Sequence, residues 1–335
     1  MAGKLREVFE NPSVAVTLED LTDSPPRNTV LTEDQSGFLD AVRDGNDDEV
    51  RAHVLEKSVD VNCVNLLGET ALQIAVNNDR HDIAKFLVEQ GADVGSALLQ
   101  AVAKESTDWV KALLDFVEDP KTQSSKRTPT SPGTLSGQTN EGQLHSRYIS
   151  PLMLAAQNNN EEIVRLFLEK GYTIKEPPSH NRYCKCSECA SIRERFGSGT
   201  PIYRLHCYRA LASPVYLCTS YLLETSAEET DIQSSKDPIV RAFLLNRELE
   251  NLMDKECEFK KDYQMLSSGC EEFAVSLLTK CRSMEEIGCV MSVPGIDKLR
   301  HVAVRGGKEA QKLSVLNFAI ANKNEKVRFL LVKLY

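Results

Sequence analysis

The chain has 335 residues, 41% of them hydrophobic and 27% charged, a size and composition that predict two or three folded domains with a sizeable core. Its net charge of −9 argues against nucleic acid and anionic lipid as partners. The first residues, MAGKLREVFE, carry charges where a signal peptide needs an apolar core, and no run of 18 apolar residues occurs. Even the best apolar run, Val327 to Leu334, is broken by Arg328 and Lys333. The expectation is a cytosolic chain that does not cross a bilayer and keeps its ten cysteines reduced.

Residues 1–31 read as a disordered N-terminus. Four similar segments follow: SGFLDAVRDGNDDEVRAHVLE from Ser36, ETALQIAVNNDRHDIAKFLVEQGAD from Glu69, SALLQAVAKESTDWVKALLDF from Ser96 and SPLMLAAQNNNEEIVRLFLEKG from Ser150. Each reads small-x-Leu-x-x-Ala, a polar turn, then Val or Ile and a Leu or Phe pair. A Ser or Thr caps the first short helix, and Pro151 fits a first turn where no N–H is needed. Alanine in the helix middle lets two helices approach closely. Gly91 and Gly171 stand where a left-handed C-cap is wanted. The pattern resembles the ankyrin repeat; Thr70-Ala71-Leu72-Gln73-Ile74-Ala75 and Ser150-Pro151-Leu152-Met153-Leu154-Ala155 carry the likeness.

Equivalent alanines, Ala41, Ala75, Ala101 and Ala155, stand 34, 26 and 54 residues apart. Against an ankyrin period of about 33, the second step lacks about one hairpin and the third holds about 21 extra residues. The surplus maps to 121–143, which is rich in Ser, Thr, Pro and Gly and reads as a flexible surface loop. Single repeats cannot bury their own faces but stacked ones can, so residues 32–174 are expected to form a four-repeat solenoid. Such solenoids bind partners and rarely catalyse. Trp109, His53 and His81 read as packing or surface residues.

Next comes EPPSHNRYCKCSECASIRER, within a segment, 175–219, read as a metal knot and a connecting helix. His180, Cys184, Cys186 and Cys189 are spaced H-x3-C-x-C-x2-C. Four soft ligands within ten residues suit a closed tetrahedral Zn²⁺ site, structural because no position stays open. Two other readings stand beside it: reduced bystander thiols, and a Cys–His nucleophile pair, for which no third orienting group or cleft is visible. The remaining cysteines read as core or surface residues.

Residues 220–236 are acidic and Ser/Thr-rich and read as a loop. From Asp237, with Pro238 at the first helical position, Leu245, Leu249, Leu252, Phe259, Tyr263 and Leu266 recur in steps of four and three, skipping Glu256. That predicts one amphipathic helix of about seven turns, then a second with Phe273, Leu277 and Cys281 on one face. The tail, 237–335, reads either as a helical hairpin packed on the solenoid or as helices that also meet another subunit. Its end, with Ser314, Leu316, Ala319, Val327, Leu330 and Leu331, mimics half an ankyrin copy. The fold class expected is therefore all-α: an ankyrin solenoid, a zinc-bound knot and a linker-helix bundle.

The order of these parts is more specific than any one of them. NCVNLLGETAL from Asn62, the His/Cys cluster, Ala210-Leu211-Ala212-Ser213-Pro214 and Glu258-Phe259-Lys260-Lys261-Asp262-Tyr263 resemble the cytosolic N-terminus of TRPC-type transient receptor potential cation channels. The resemblance spans about Thr32 to Ala321; residues 221–236 are an insertion. It implies a calcium-permeable, non-selective plasma-membrane tetramer, commonly downstream of phospholipase C. Repeats and linker helices would assist assembly with other TRPC-like subunits and bind cytosolic regulatory proteins, without enzymatic activity. It also carries His180, Cys184, Cys186 and Cys189 onto the zinc ligands of that family. The pore and membrane helices are not in these residues, so a fragment or isoform that does not itself conduct is expected. The alternative is a free-standing cytoplasmic ankyrin scaffold.

Overall fold

The computed structural model describes residues 31–118, 148–181, 184–224, 237–280 and 286. The expected disordered start, the loop 121–143, most of the acidic loop and the half-ankyrin end therefore lie outside the described residues, as do Cys281 and Cys289. Among the described residues the chain is helical, apart from one isolated β-bridge between Val64 and Thr70.

Four helix pairs make the solenoid: α1 (Glu33–Asp44) with α2 (Asp47–Leu55), α3 (Ala71–Asn77) with α4 (His81–Glu89), α5 (Val94–Ala103) with α6 (Thr107–Glu118), and α7 (Pro151–Gln157) with α8 (Glu161–Glu169). The helices start where side chains supply an acceptor. Thr32 and Thr70 each close a capping box with a glutamine three residues on, and Ser150 caps Met153. The third repeat departs from the expected Ser cap. Asp93 caps it instead, and Ser96 lies buried one turn inside with its hydroxyl lacking a partner. The hairpin missing from the sequence spacing is missing here too: only Gln90 to Asp93 separate α4 from α5.

The turn inside each pair holds one left-handed residue: Gly45, Asp79, Glu105 and Asn159, with φ of 81°, 55°, 55° and 54°. These repeat with the spacing of the alanines, so backbone and packing share one register. Ala41, Ala75, Ala101 and Ala155 are at most 3% exposed, and a larger side chain there would push the paired helices apart. Gly91 and Gly171, at φ 89° and 79°, end the outer helices as left-handed caps. Trp109 is buried, donates to Asp79 at 2.7 Å and carries His81 stacked 3.9 Å above it, a packing role; His53 is half-buried beside Phe38.

The stack does not stop at the fourth pair. Helix α10 (Thr200–Leu211) packs on α7 as α7 packs on α5, and α11 (Pro214–Glu224) packs on α8. Gln157 donates to the His206 carbonyl at 3.0 Å, Ser213 to Asn159 at 2.9 Å, and the Ile174 amide to the Tyr216 hydroxyl at 3.1 Å. A fifth pair thus continues both layers without an ankyrin motif. Between the fourth and fifth pairs lie a strap whose described residues, 173–181 and 184–186, are not helical, and the short helix α9 (Ser187–Phe196). At this junction Phe196 stacks on Tyr203 at 4.6 Å and meets the Tyr148 ring at a tilt, 5.5 Å away. A Cβ on Gly199 would strike the Tyr148 ring, so that position requires glycine.

The single seven-turn helix expected after Asp237 is two helices. Asp237 caps α12 (Pro238–Met253) as anticipated, accepting from Ile239 and Val240. The chain then reverses through a 3-10 turn at Cys257–Phe259 into α13 (Lys260–Thr279), which packs back along α12. The physical reason lies at Glu256, the residue the apolar steps skipped. Its carboxylate turns inward to accept from the Arg204 guanidinium and, at 2.6 Å, from the Tyr263 hydroxyl. An uninterrupted helix would hold Leu249 and Tyr263 on one stripe; folded as a hairpin, both are fully buried. The buried face of α13 is Tyr263, Ser267, Cys270, Ala274 and Leu278, with Phe273 and Leu277 half-buried at its flank.

Arg204 and Glu256 side chains are 5% and 13% exposed. Removing one member of such a pair strands the other away from water. Arg204→Ala is expected to lower the unfolding free energy by about 3–5 kcal/mol in urea titration. Loss of less than about 1 kcal/mol, the range of an exposed pair, would show that the pair does not hold the fold.

Candidate metal centre

The strap is extended where it must be. Glu176 and Pro177 each precede a proline, which keeps them out of the helical region. Arg204 then fixes its far end: Nε donates to the Pro178 carbonyl at 2.7 Å and a terminal nitrogen to the Ser179 carbonyl at 2.9 Å. The Cys184 amide closes a turn onto the Asn181 carbonyl at 3.0 Å, and Arg193 holds the Cys184 carbonyl at 2.5 Å.

Cys186 is the N-cap of α9, its sulfur accepting from the Cys189 amide at 3.4 Å. Cys189, buried, accepts from the Ser179 amide at 3.3 Å. Cys184 and Cys186 place their sulfurs 3.3 Å apart. All three sulfurs lie within 4.8 Å of one another. His180 does not belong to that group; it is exposed and lines a cavity together with Lys255 and Arg204. Partial burial and those two cations lower its pKa, which favours the neutral ring, the form that ligates a metal.

The thiols divide by environment. Donors from the Cys189 amide and the neighbouring thiols lower the Cys186 pKa, while burial raises that of Cys189. Elsewhere burial pushes Cys63 up to about 11 and Cys207 and Cys270 up to about 12, which makes them inert core groups.

The donor chemistry suits zinc. Thiolate sulfurs at about 2.3 Å from a tetrahedral Zn²⁺ stand about 3.8 Å apart, close to the 3.3 Å between Cys184 and Cys186 and within the 4.8 Å that contains all three. What the structure brings together is the Cys184, Cys186 and Cys189 trio. Bringing His180 to the same ion requires its ring to move toward the sulfurs.

Two kinds of family model match. Residues 38–125 match ankyrin repeats in three copies and residues 148–175 a further ankyrin repeat. Residues 184–260 match transient receptor ion channel II, a stretch that begins at Cys184 and ends at the first residue of α13. The chain is built as a TRPC-type N-terminal region. It is 35% identical to the short transient receptor potential channel 3 of Homo sapiens over 276 residues, 79% of this chain and 28% of that one. It is 33% identical to the short transient receptor potential channel 4 of Mus musculus over 266 residues, 78% of this chain and 25% of that one. The TRPC-like chain thus spans under a third of the length of the curated relatives it matches. The matching families are channel and repeat families, not enzyme families. None of the described helices is long and apolar enough to cross a membrane.

The fifth helix pair is the part of this region that repeat spacing missed. The signals that could have found it are a helix start of the same kind as Ser150-Pro151 at Ser213-Pro214, and Pro201 in the first turn of α10.

In metal-free buffer at pH 8, iodoacetamide is expected to alkylate exposed Cys186 and Cys257 rapidly and Cys207 and Cys270 only after denaturant is added, as read by peptide mass spectrometry. Labelling of Cys207 at the rate of Cys257 in the folded chain would contradict the packing of α10.

Proposed function

We propose that this chain is the cytosolic assembly and regulatory region of a TRPC-like, calcium-permeable, non-selective cation channel of the plasma membrane. The observation that carries this reading is the continuity of the two matched regions. The ankyrin layers run without a break into the helices of the transient receptor region. The families it matches are channel and repeat families, in keeping with a binding rather than a catalytic role. Its partners on this reading are other TRPC-like subunits, in homo- or hetero-oligomers, and cytosolic regulatory proteins; the net charge of −9 argues against nucleic acid.

The cysteine trio serves that role as a structural element. Zn²⁺ held by His180, Cys184, Cys186 and Cys189 would cross-link the strap to the start of α9, with no open position for chemistry. The strap joins the last ankyrin repeat to the transient receptor region, so tying it down sets how one meets the other.

Two experiments test the proposal. The tagged chain, co-expressed with the full-length human channel 3, should co-purify with it from detergent-solubilised membranes and reduce whole-cell cation current. Recovery from the cytosol alone, with current unchanged, would favour the free-standing scaffold and overturn the channel reading. Elemental analysis should find one zinc per chain, lost in Cys186→Ser together with thermal stability, because metal binding is folding free energy. Folded chain without zinc after purification under reducing conditions would remove the structural zinc from the proposal.

A further inference from the structure

A groove with a volume of about 530 Å³ runs between the strap and α12. One wall is a face of α12, positions 241, 244, 245, 248 and 252, about 17 Å of helix, continued by Lys255 in the turn just past the helix end. The other wall is the strap from Glu176 to His180, held open from behind by Arg204. Leu211, Leu244 and Pro177 supply an apolar floor. The groove is therefore preformed, and its length is that of six or seven extended residues at about 3.3 Å each.

Its charges are ordered along that length. Arg241 stands at one end and Lys255 at the other; neither side chain makes a hydrogen bond or ion pair among the described residues, although Arg241 lies near enough to Glu248 to attract its carboxylate. The Arg241 Nε is shielded from solvent and unsatisfied. At the waist, Glu176 on the strap faces Glu248 on α12, close enough for their charges to repel; Glu248 is tied to the Tyr208 hydroxyl at 3.0 Å. Glu176 is held extended by Pro177, and the backbone groups of Lys175 and Glu176 have no partner among the described residues.

We infer that this groove is a docking site for an extended protein segment of about seven residues, acidic at its first and seventh positions and basic at its fourth. The alternation of an extended chain makes the fit. Side chains one and seven point to the same wall, where α12 presents Arg241 and the turn after it presents Lys255. Side chain four points to the opposite wall, where Glu176 stands, and its positive charge relieves the repulsion between the two glutamates. The segment's backbone runs beside the unpaired backbone of Lys175 and Glu176. A compact anion would satisfy one end only and would leave the glutamate pair facing each other.

The test uses the whole chain and two fluorescein-labelled heptapeptides, Glu-Ala-Val-Lys-Val-Ala-Glu and its charge-reversed form Lys-Ala-Val-Glu-Val-Ala-Lys, in anisotropy titrations. Saturable binding of the first, at least about tenfold tighter than the second, is expected. Arg241→Glu combined with Lys255→Glu should weaken the first by at least about tenfold and tighten the second, with an unchanged circular dichroism spectrum. No saturable binding below about 1 mM, equal affinity for both peptides, or a folded double variant that keeps the original preference would each overturn the inference. So would displacement of the acid-ended peptide by pyrophosphate at an equal concentration, because that would mark a simple anion site.

Discussion

The guanidinium of Arg204 sits where every part of the molecule meets. Its Nε and one terminal nitrogen hold the carbonyls of Pro178 and Ser179, and its other terminal nitrogen meets Glu256, whose second oxygen accepts from Tyr263. One side chain on the fifth helix pair thus grips the strap on one side and the turn of the α12–α13 hairpin on the other. A charge this far from water is tolerated because its donors are engaged, and Arg supplies them in a fixed planar fork. Such a pair adds little net stability over an apolar cluster, but it penalises every arrangement in which the three parts are not in place. Its contribution is therefore to geometry: it decides how the repeats, the strap and the linker helices sit together.

That geometry explains how a repeat stack turns into a different domain without an interface in the usual sense. The left-handed residue in each turn and the buried alanine in each inner helix keep four pairs in one register. The fifth pair adopts the same two layers through Pro201 in the first turn of α10, the Ser213-Pro214 helix start and hydrogen bonds from Gln157 and Ser213. Solenoid stability comes from neighbours, so the fifth pair covers the open end of the fourth and acts as its cap. Helices α12 and α13 then cover the fifth pair, α12 against α11 and α13 against α10.

The strap between the fourth and fifth pairs carries both candidate sites. Cys184, Cys186 and Cys189 gather at the start of α9, and His180 turns toward the groove lined by α12. Arg204 reaches the strap between the two. A change in the cysteine trio and a change in the groove are thus connected through a few residues of backbone anchored at Pro178 and Ser179, which is a short, stiff path.

Much of this was legible in the residues alone. Spacing of apolar and small residues is set by helix geometry, so four repeats, their glycine caps, the trimmed hairpin before α5 and the start of α12 at Asp237 all followed from local rules. The close spacing of three cysteines pointed to a cluster that could hold a metal, and the three sulfurs do converge. Three features needed the tertiary structure. The helix at 237–266 breaks because Glu256 has a buried partner 52 residues away, which periodicity cannot register. The fifth pair joins the stack because its layers meet those of α7 and α8, although its sequence lacks the repeat motif. His180 stands apart from the cysteines, and the groove exists at all, because Arg204 fixes the strap from a helix 25 residues downstream. Local pattern determined which elements form; contacts between distant residues, formed only once the chain has collapsed, decided where they turn and which side chains they face.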